Sequence, residues 1–221
     1  MRKARIGERV RHLLEAIFAA LLFGTQSILD AGIAISVMAI PLVSYLIAII
    51  SGHFPLSAIE FNIYVMLVFK EFWVGRIIAL VGVVVLLLSA AQLLRNHHKG
   101  GGLLKDSAYS VVRHPQFLGI ILITFGLTVM VLTNSTSSLF TSAGLWFLAT
   151  LGYILIARYE EWSLSKKYGE ELQQYKRKAP FLFPIKCPSV IPETIYTILI
   201  AALLSIILLL IPYNQIRIIG Y

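Results

Sequence analysis

The stretch Lys105-Asp-Ser-Ala-Tyr-Ser-Val-Val-Arg-His-Pro-Gln-Phe-Leu-Gly119 is where a polar, basic segment ends and an apolar run begins. Arg113 and His114 therefore fall on a water–lipid boundary. Pro115 lacks an amide donor and has a φ preset for the first turn of a helix. The sequence thus predicts a loop followed by a helix starting near Pro115. The rest of the chain reads as a membrane scaffold holding this loop against a second charged stretch, residues 158–184.

Composition sets the class. Hydrophobic residues make up 58% of the 221 and charged residues only 14%, against about 25% charged in a soluble domain. Mean hydropathy is +0.82. One domain of ordinary size could not hide so much apolar surface. The expected fold is all-α, a polytopic transmembrane bundle of about five spans. The net charge of +8 comes from basic residues at the ends of apolar runs, which fits anionic lipid headgroups rather than nucleic acid. Cys187 is alone, which excludes an intramolecular disulfide and a cysteine-based metal site.

The N-terminal basic residues Arg2, Lys3, Arg5, Arg9 and Arg11 precede an apolar run from Leu13 to Gly24, interrupted by Glu15. This reads as a retained anchor over 8–28, interfacial or half-inserted, rather than a cleaved signal. Spans are expected at Ala31–Ile50, 73–94, Phe117–Leu132, Leu139–Ala157 and Ile191–Ile211. The fourth should run on as a helix into the polar region, since no breaker precedes Gly169. The chain thus divides into an N-terminal anchor and first span over 1–72, a core over 73–184 and a C-terminal span over 185–221. Residues 1–12, 95–116 and 158–190 hold sixteen of the nineteen Lys and Arg, and the 134–138 turn holds none. With five spans all three basic segments share one side, the cytoplasmic side.

The third and fourth spans form a tight hairpin, so their cytoplasmic ends must be neighbours. That brings Arg113 and His114 near Arg158, Glu160 and Glu161. The residue pattern alone leaves two readings open: a structural ion-pair cluster, or a site. Glu161, Leu164, Tyr168, Leu172 and Tyr175 recur at steps of three and four, one helical stripe. It suits a helix on the headgroups or a lid over the loop. Ala179-Pro-Phe-Leu-Phe-Pro184 is an aromatic, proline-rich return toward the membrane. His97 and His98 have no carboxylate or thiol at metal-ligand spacing, so no metal is expected. The glycines at 100–102 lack the Lys-Ser/Thr of a phosphate loop.

Two stretches resemble a known family. Tyr109-Ser-Val-Val-Arg-His-Pro-Gln-Phe-Leu-Gly119 is similar to the Tyr-x-x-x-Arg-His-Pro-x-Tyr-x-Gly signature of the isoprenylcysteine carboxyl methyltransferase and phospholipid methyltransferase superfamily. Glu160-Glu-Trp-Ser-Leu164, followed by Tyr168-Gly169, Tyr175 and Ala179-Pro180 through Pro184, resembles its Glu-Glu-x-x-Leu motif and the helix after it. Order and intervening hairpin also match. Ser107-Ala108 stands where that family often has Gly-Pro, and Phe117 where it has Tyr.

The resemblance implies an integral membrane enzyme that uses S-adenosylmethionine on the cytoplasmic side. Its acceptor is lipophilic, a prenylcysteine-type carboxylate or a lipid amine, and enters from the bilayer. It carries Tyr109, Arg113, His114, Pro115, Phe117, Gly119, Glu160, Glu161 and Leu164 over as cofactor-binding residues, with Arg113 and Glu161 in the catalytic roles. Chemically, a glutamate can hold the cofactor's ammonium and an arginine its carboxylate. Trp162 or Tyr168 can shelter the sulfonium, and Glu161 or a water can take a proton from an amine acceptor. An NADPH-dependent enzyme of the sterol-reductase type and a non-catalytic membrane protein are the rival expectations.

Overall fold

The structure, a computed structural model, describes residues 39–50, 73–98, 102–134 and 139–215. The expected anchor over 8–28, the beginning of the span Ala31–Ile50, the segments over 51–70 and the turn after Asn134 lie outside the described residues. Every element among the described residues is helical: α1 (Ala39–Ile50), α2 (Trp73–His98), α3 (Ala108–Val111), α4 (Pro115–Asn134), α5 (Leu139–Lys178) and α6 (Glu193–Gln215). Four of them, α2, α4, α5 and α6, are long and apolar enough to cross a membrane. The bundle belongs to the compact unit Pro41–Tyr221.

The boundaries follow the residue chemistry. Pro115 occupies the first turn of α4, where its missing N–H costs nothing. α5 runs unbroken from its apolar half into the charged half, as the absence of a breaker predicts. Its one irregular residue is Gly169, at φ 45° and ψ −115°. Only glycine takes that conformation without a Cβ penalty, and the helix axis bends there. Two expected ends move. α2 continues to His98 instead of stopping near residue 94. α6 passes Pro212 and reaches Gln215.

α4 is the central helix. Phe117, Ile121, Val129 and Leu132 are buried along it. α2 lies against it backbone to backbone: a Cβ on Gly82 would sit 2.6 Å from Ile123 N and 2.7 Å from Gly119 O. Small residues permit this approach, and in lipid such packing replaces the hydrophobic drive of a soluble core. The outer face of α2, with Leu80, Val84 and Leu87, is exposed, as a lipid-facing surface should be. On α5, Trp146 is fully buried, donates Nε1–H to Ile121 O at 3.3 Å, and meets Phe125 edge-on. Tyr45 of α1 donates its hydroxyl to Thr124 O at 2.9 Å. Ser205 of α6 donates to Ala143 O at 3.1 Å. These polar contacts across helices fix the register of the bundle, so the charged end of α5 meets the start of α4.

Candidate functional site

The Arg-His-Pro corner is built from three short devices. Ser107, before α3, has φ 55° and ψ −120°. It occupies a position where the resembling family often carries glycine, the residue such a φ favours. Gln92 Nε2 donates to Ser107 Oγ at 2.6 Å and holds the turn to α2. The single turn α3 then presents Tyr109, and the chain straightens at Val112. Arg113 N–H donates to Pro180 O at 2.9 Å, pinning the corner to the Ala179–Pro184 segment. Phe181, Leu182 and Phe183 of that segment are buried in the fold.

Side chains then close a ring of charges. Arg113 Nη1 lies 2.9 Å from Glu161 Oε1, and Arg158 Nη1 lies 2.9 Å from Glu161 Oε2. Arg113 Nη2 contacts Glu193 Oε1, and Arg158 Nη2 lies 3.4 Å from Glu193 Oε2. Each carboxylate thus spans both arginines. Both guanidinium groups also stack near one ring, with Arg158 Cζ 4.1 Å and Arg113 Cζ 5.4 Å from the Phe181 centroid. Lys176 Nζ adds a third cation, 2.9 Å from Glu161 Oε2.

His114 is clamped by Phe117 and Phe181 at centroid distances of 5.6 and 5.3 Å. Its Nδ1 lies 3.3 Å from Glu160 Oε2 and its Nε2 3.7 Å from Glu161 Oε1. Burial, the largest single influence, pushes the imidazole pKa down. The two glutamates together outweigh it and raise the pKa above 6.5. For Glu161 burial again dominates singly and raises the pKa. His114, Arg113 and Lys176 overcome it and hold the carboxyl down at about 2. Burial, aided by the negative charge of Glu160, raises the Tyr109 phenol well above its usual value.

These groups line a half-open cleft of about 110 Å³, smaller than the roughly 300–1,000 Å³ of most small-molecule sites. Its polar lining includes Asn96, Tyr109, Arg113, His114, Glu160 and Glu161; its apolar lining includes Leu93, Leu103, Leu104, Leu164 and Leu172. Tyr168 and Tyr175 also face it, so the whole stripe on α5 looks inward across the bend at Gly169. Tyr175 donates its hydroxyl to Tyr109 O at 2.5 Å. Lys105 and Glu171, 2.5 Å apart, tie the preceding loop to the helix beyond the bend.

The sequence-derived residues divide in two. Tyr109, Arg113, His114, Glu160, Glu161 and Leu164 meet at the cleft. Pro115, Phe117 and Gly119 do not line it. Pro115 starts α4; Phe117 supports His114 and Tyr153 from behind. Gly119 faces α2, where a Cβ would come within 2.8 Å of Leu86 N. Their shared motif reflects how the corner is mounted. Trp162 is 56% exposed and outside the cleft, its ring covered by Lys166 Nζ at 3.3 Å. Only Tyr168 of the two proposed sulfonium shelters faces the cleft. Sequence reading missed Phe181, Lys176 and Glu193. Glu193, the first residue of a span otherwise nearly free of charge, was the one visible signal.

Arg113 Nε, Nη1 and Nη2, both His114 nitrogens and the Tyr109 hydroxyl lack a hydrogen bond of proper direction, despite the close ion pairs. Arg113 and His114 are 4% and 2% exposed. Arg113 Nη1 and Nη2 and both His114 nitrogens nonetheless face carboxylates at ion-pair distance, which leaves Arg113 Nε and the Tyr109 hydroxyl as the buried groups of this set with no such neighbour. Among the described residues no cluster of His, Cys, Asp and Glu could hold a metal.

The fold and cleft define a multi-pass helical membrane protein with a polar site at one end of its bundle. Residues 18–179 match the family described as a protein of unknown function (DUF1295), and the chain belongs to that family. No curated protein and no solved structure matches it.

Proposed function

We propose that the chain is an S-adenosylmethionine-dependent membrane methyltransferase acting on a lipophilic acceptor, with its cofactor site on the cytoplasmic face. The observation that carries this reading is the meeting, in one cleft, of Arg113 and His114 with the half-exposed carboxylate of Glu160. A zwitterionic amino-acid group requires that juxtaposition.

In this reading the twin glutamates take different roles. Glu161 is surrounded by Arg113, Arg158, Lys176 and His114, so it has little capacity left for another cation. Its task is to hold those cations in place. Glu160 is 39% exposed and meets His114 Nδ1 alone among the contacts formed. Glu160 is therefore the residue to take the ammonium, with Arg113 and His114 toward the carboxylate. Tyr109, Tyr168 and Tyr175 offer aromatic faces to a cation. The leucines Leu93, Leu103, Leu104 and Leu164 would exclude water from the remaining space. When bound, the cofactor supplies an already activated methyl group, and the protein's task is alignment.

Glu161, held at about 2, is a poor proton acceptor at neutral pH. This departs from its assignment as the base for an amine acceptor. A carboxylate acceptor needs no base. An amine has to lose its proton to water or to another group.

A sterol-reductase-like enzyme using NADPH fits less well. The half-exposed Glu160 carboxylate in the cleft lining would repel phosphates, whereas it would attract an ammonium. Membranes containing the protein, incubated with methyl-labelled S-adenosylmethionine, should transfer label to a lipid-extractable or lipidated product. NADPH-dependent reduction with no methyl transfer would overturn the proposal.

A further inference from the structure

The ring of Arg113, Glu161, Arg158 and Glu193 is completed by the first residue of the last membrane span. Glu193 lies beyond the residues that match the family, which end at 179. Nothing in the two sequence motifs calls for it. Yet it contacts both arginines at once, one with each carboxylate oxygen.

Consider what Arg113 meets without it. Its side chain is 2% exposed, so water cannot stand in for a missing partner. Nη1 faces Glu161 and Nη2 faces Glu193. Phe181 stacks against the guanidinium but fixes no in-plane direction. Two carboxylates on two nitrogens determine the plane of a guanidinium; one leaves it free to swing toward Glu161 alone. Arg158 is in the same position, 27% exposed and shared between the same two glutamates. Glu193 itself is 28% exposed and does not line the cleft, so it acts through the arginines.

We propose that Glu193 is a positioning residue for the cleft: by bridging Arg113 and Arg158 it sets the direction in which Arg113 presents its donors to an anionic group. The last span thereby becomes a component of the site rather than a mere anchor. This rests on the reading of the cleft as a cofactor site. The chemical class addressed is the carboxylate of the bound amino-acid moiety.

The test uses the full chain in lipid nanodiscs. S-adenosylmethionine binding is measured for wild type, Glu193→Gln, Glu193→Ala and Glu193→Asp. Both neutral variants should weaken binding about tenfold, the scale of one well-directed charge-assisted hydrogen bond. Asp, which keeps the charge, should restore most of the affinity, and melting temperatures of the same samples separate a loss of affinity from a loss of fold. A second measurement needs no ligand: a double-mutant cycle on thermal unfolding with Arg158→Gln and Glu193→Gln. Coupled shifts support the bridge. Additive shifts overturn the inference, as does wild-type affinity in Glu193→Gln. If wild type itself binds no cofactor while the shifts are coupled, the bridge stands and the methyltransferase reading fails.

Discussion

Arg113 Nη1 and Glu161 Oε1 sit 2.9 Å apart, on side chains 2% and 3% exposed, although 48 positions separate them in the chain. The pair joins the corner before α4 to the charged half of α5. Every other feature of the cleft is arranged around it.

Glu161→Gln leaves four cationic groups around a neutral amide. Removing one partner from a buried charge pair costs about 3–5 kcal/mol. The variant should unfold at markedly lower temperature or denaturant concentration than wild type. Glu160→Gln, at a half-exposed position, should unfold within roughly 1 kcal/mol of it. Equal destabilisation by the two would contradict the division of roles between them.

The protonation behaviour sets a pH window. Glu161 is held at about 2, below its ordinary 4.5, so it contributes stability that is present above pH 4.5 and lost as pH falls toward 2. The full contribution is about 3 kcal/mol. His114 is raised above 6.5, so its contribution is present below pH 6.5 and lost as pH rises through the folded-state value. Unfolding followed from pH 2 to pH 9 should show the acid loss greatly reduced in Glu161→Gln and the alkaline loss removed in His114→Gln.

Gly119 faces α2, not the cleft. A Cβ there would lie 2.8 Å from Leu86 N and 2.9 Å from Gly82 O. Gly119→Ala should force the two helices apart at a cost of about 1–3 kcal/mol. Where the variant folds, ligand affinity should match wild type. A selective loss of affinity at unchanged stability would return Gly119 to the binding site.

Ser107 carries a positive φ that an L side chain takes at a cost of about 1–3 kcal/mol. Glycine would relieve this but lose the bond from Gln92, worth about 0.5–1.5 kcal/mol. Ser107→Gly should therefore be neutral to stabilising in a thermal melt, and Ser107→Val clearly destabilising.

The sequence made the bundle legible because lipid permits few solutions: long apolar runs must be helices, and basic residues mark their ends. The meeting of Arg113 with Glu161 was legible for the same reason, since a short hairpin forces its two ends together. The burial of Phe181 was not. An apolar, proline-rich segment beside a membrane can turn either way, and only the backbone bond from Arg113 N–H to Pro180 O fixes its direction. Glu193 was hidden because its partners lie 35 and 80 positions away, on α5 and in the corner before α4. The outward face of Trp162 was hidden too. It is one residue off the stripe of Glu161, Leu164 and Tyr168, and a 100° step on a helix turns it from the cleft.

Equilibrium binding of S-adenosylmethionine to the purified chain in nanodiscs, compared between wild type and Glu160→Gln, tests the central claim most directly. Saturable binding to wild type, lost in Glu160→Gln at an unchanged melting temperature, is the expected result. No binding to the folded wild type, or equal binding to both, would contradict a cleft that pairs Glu160 with an ammonium and Arg113 and His114 with a carboxylate.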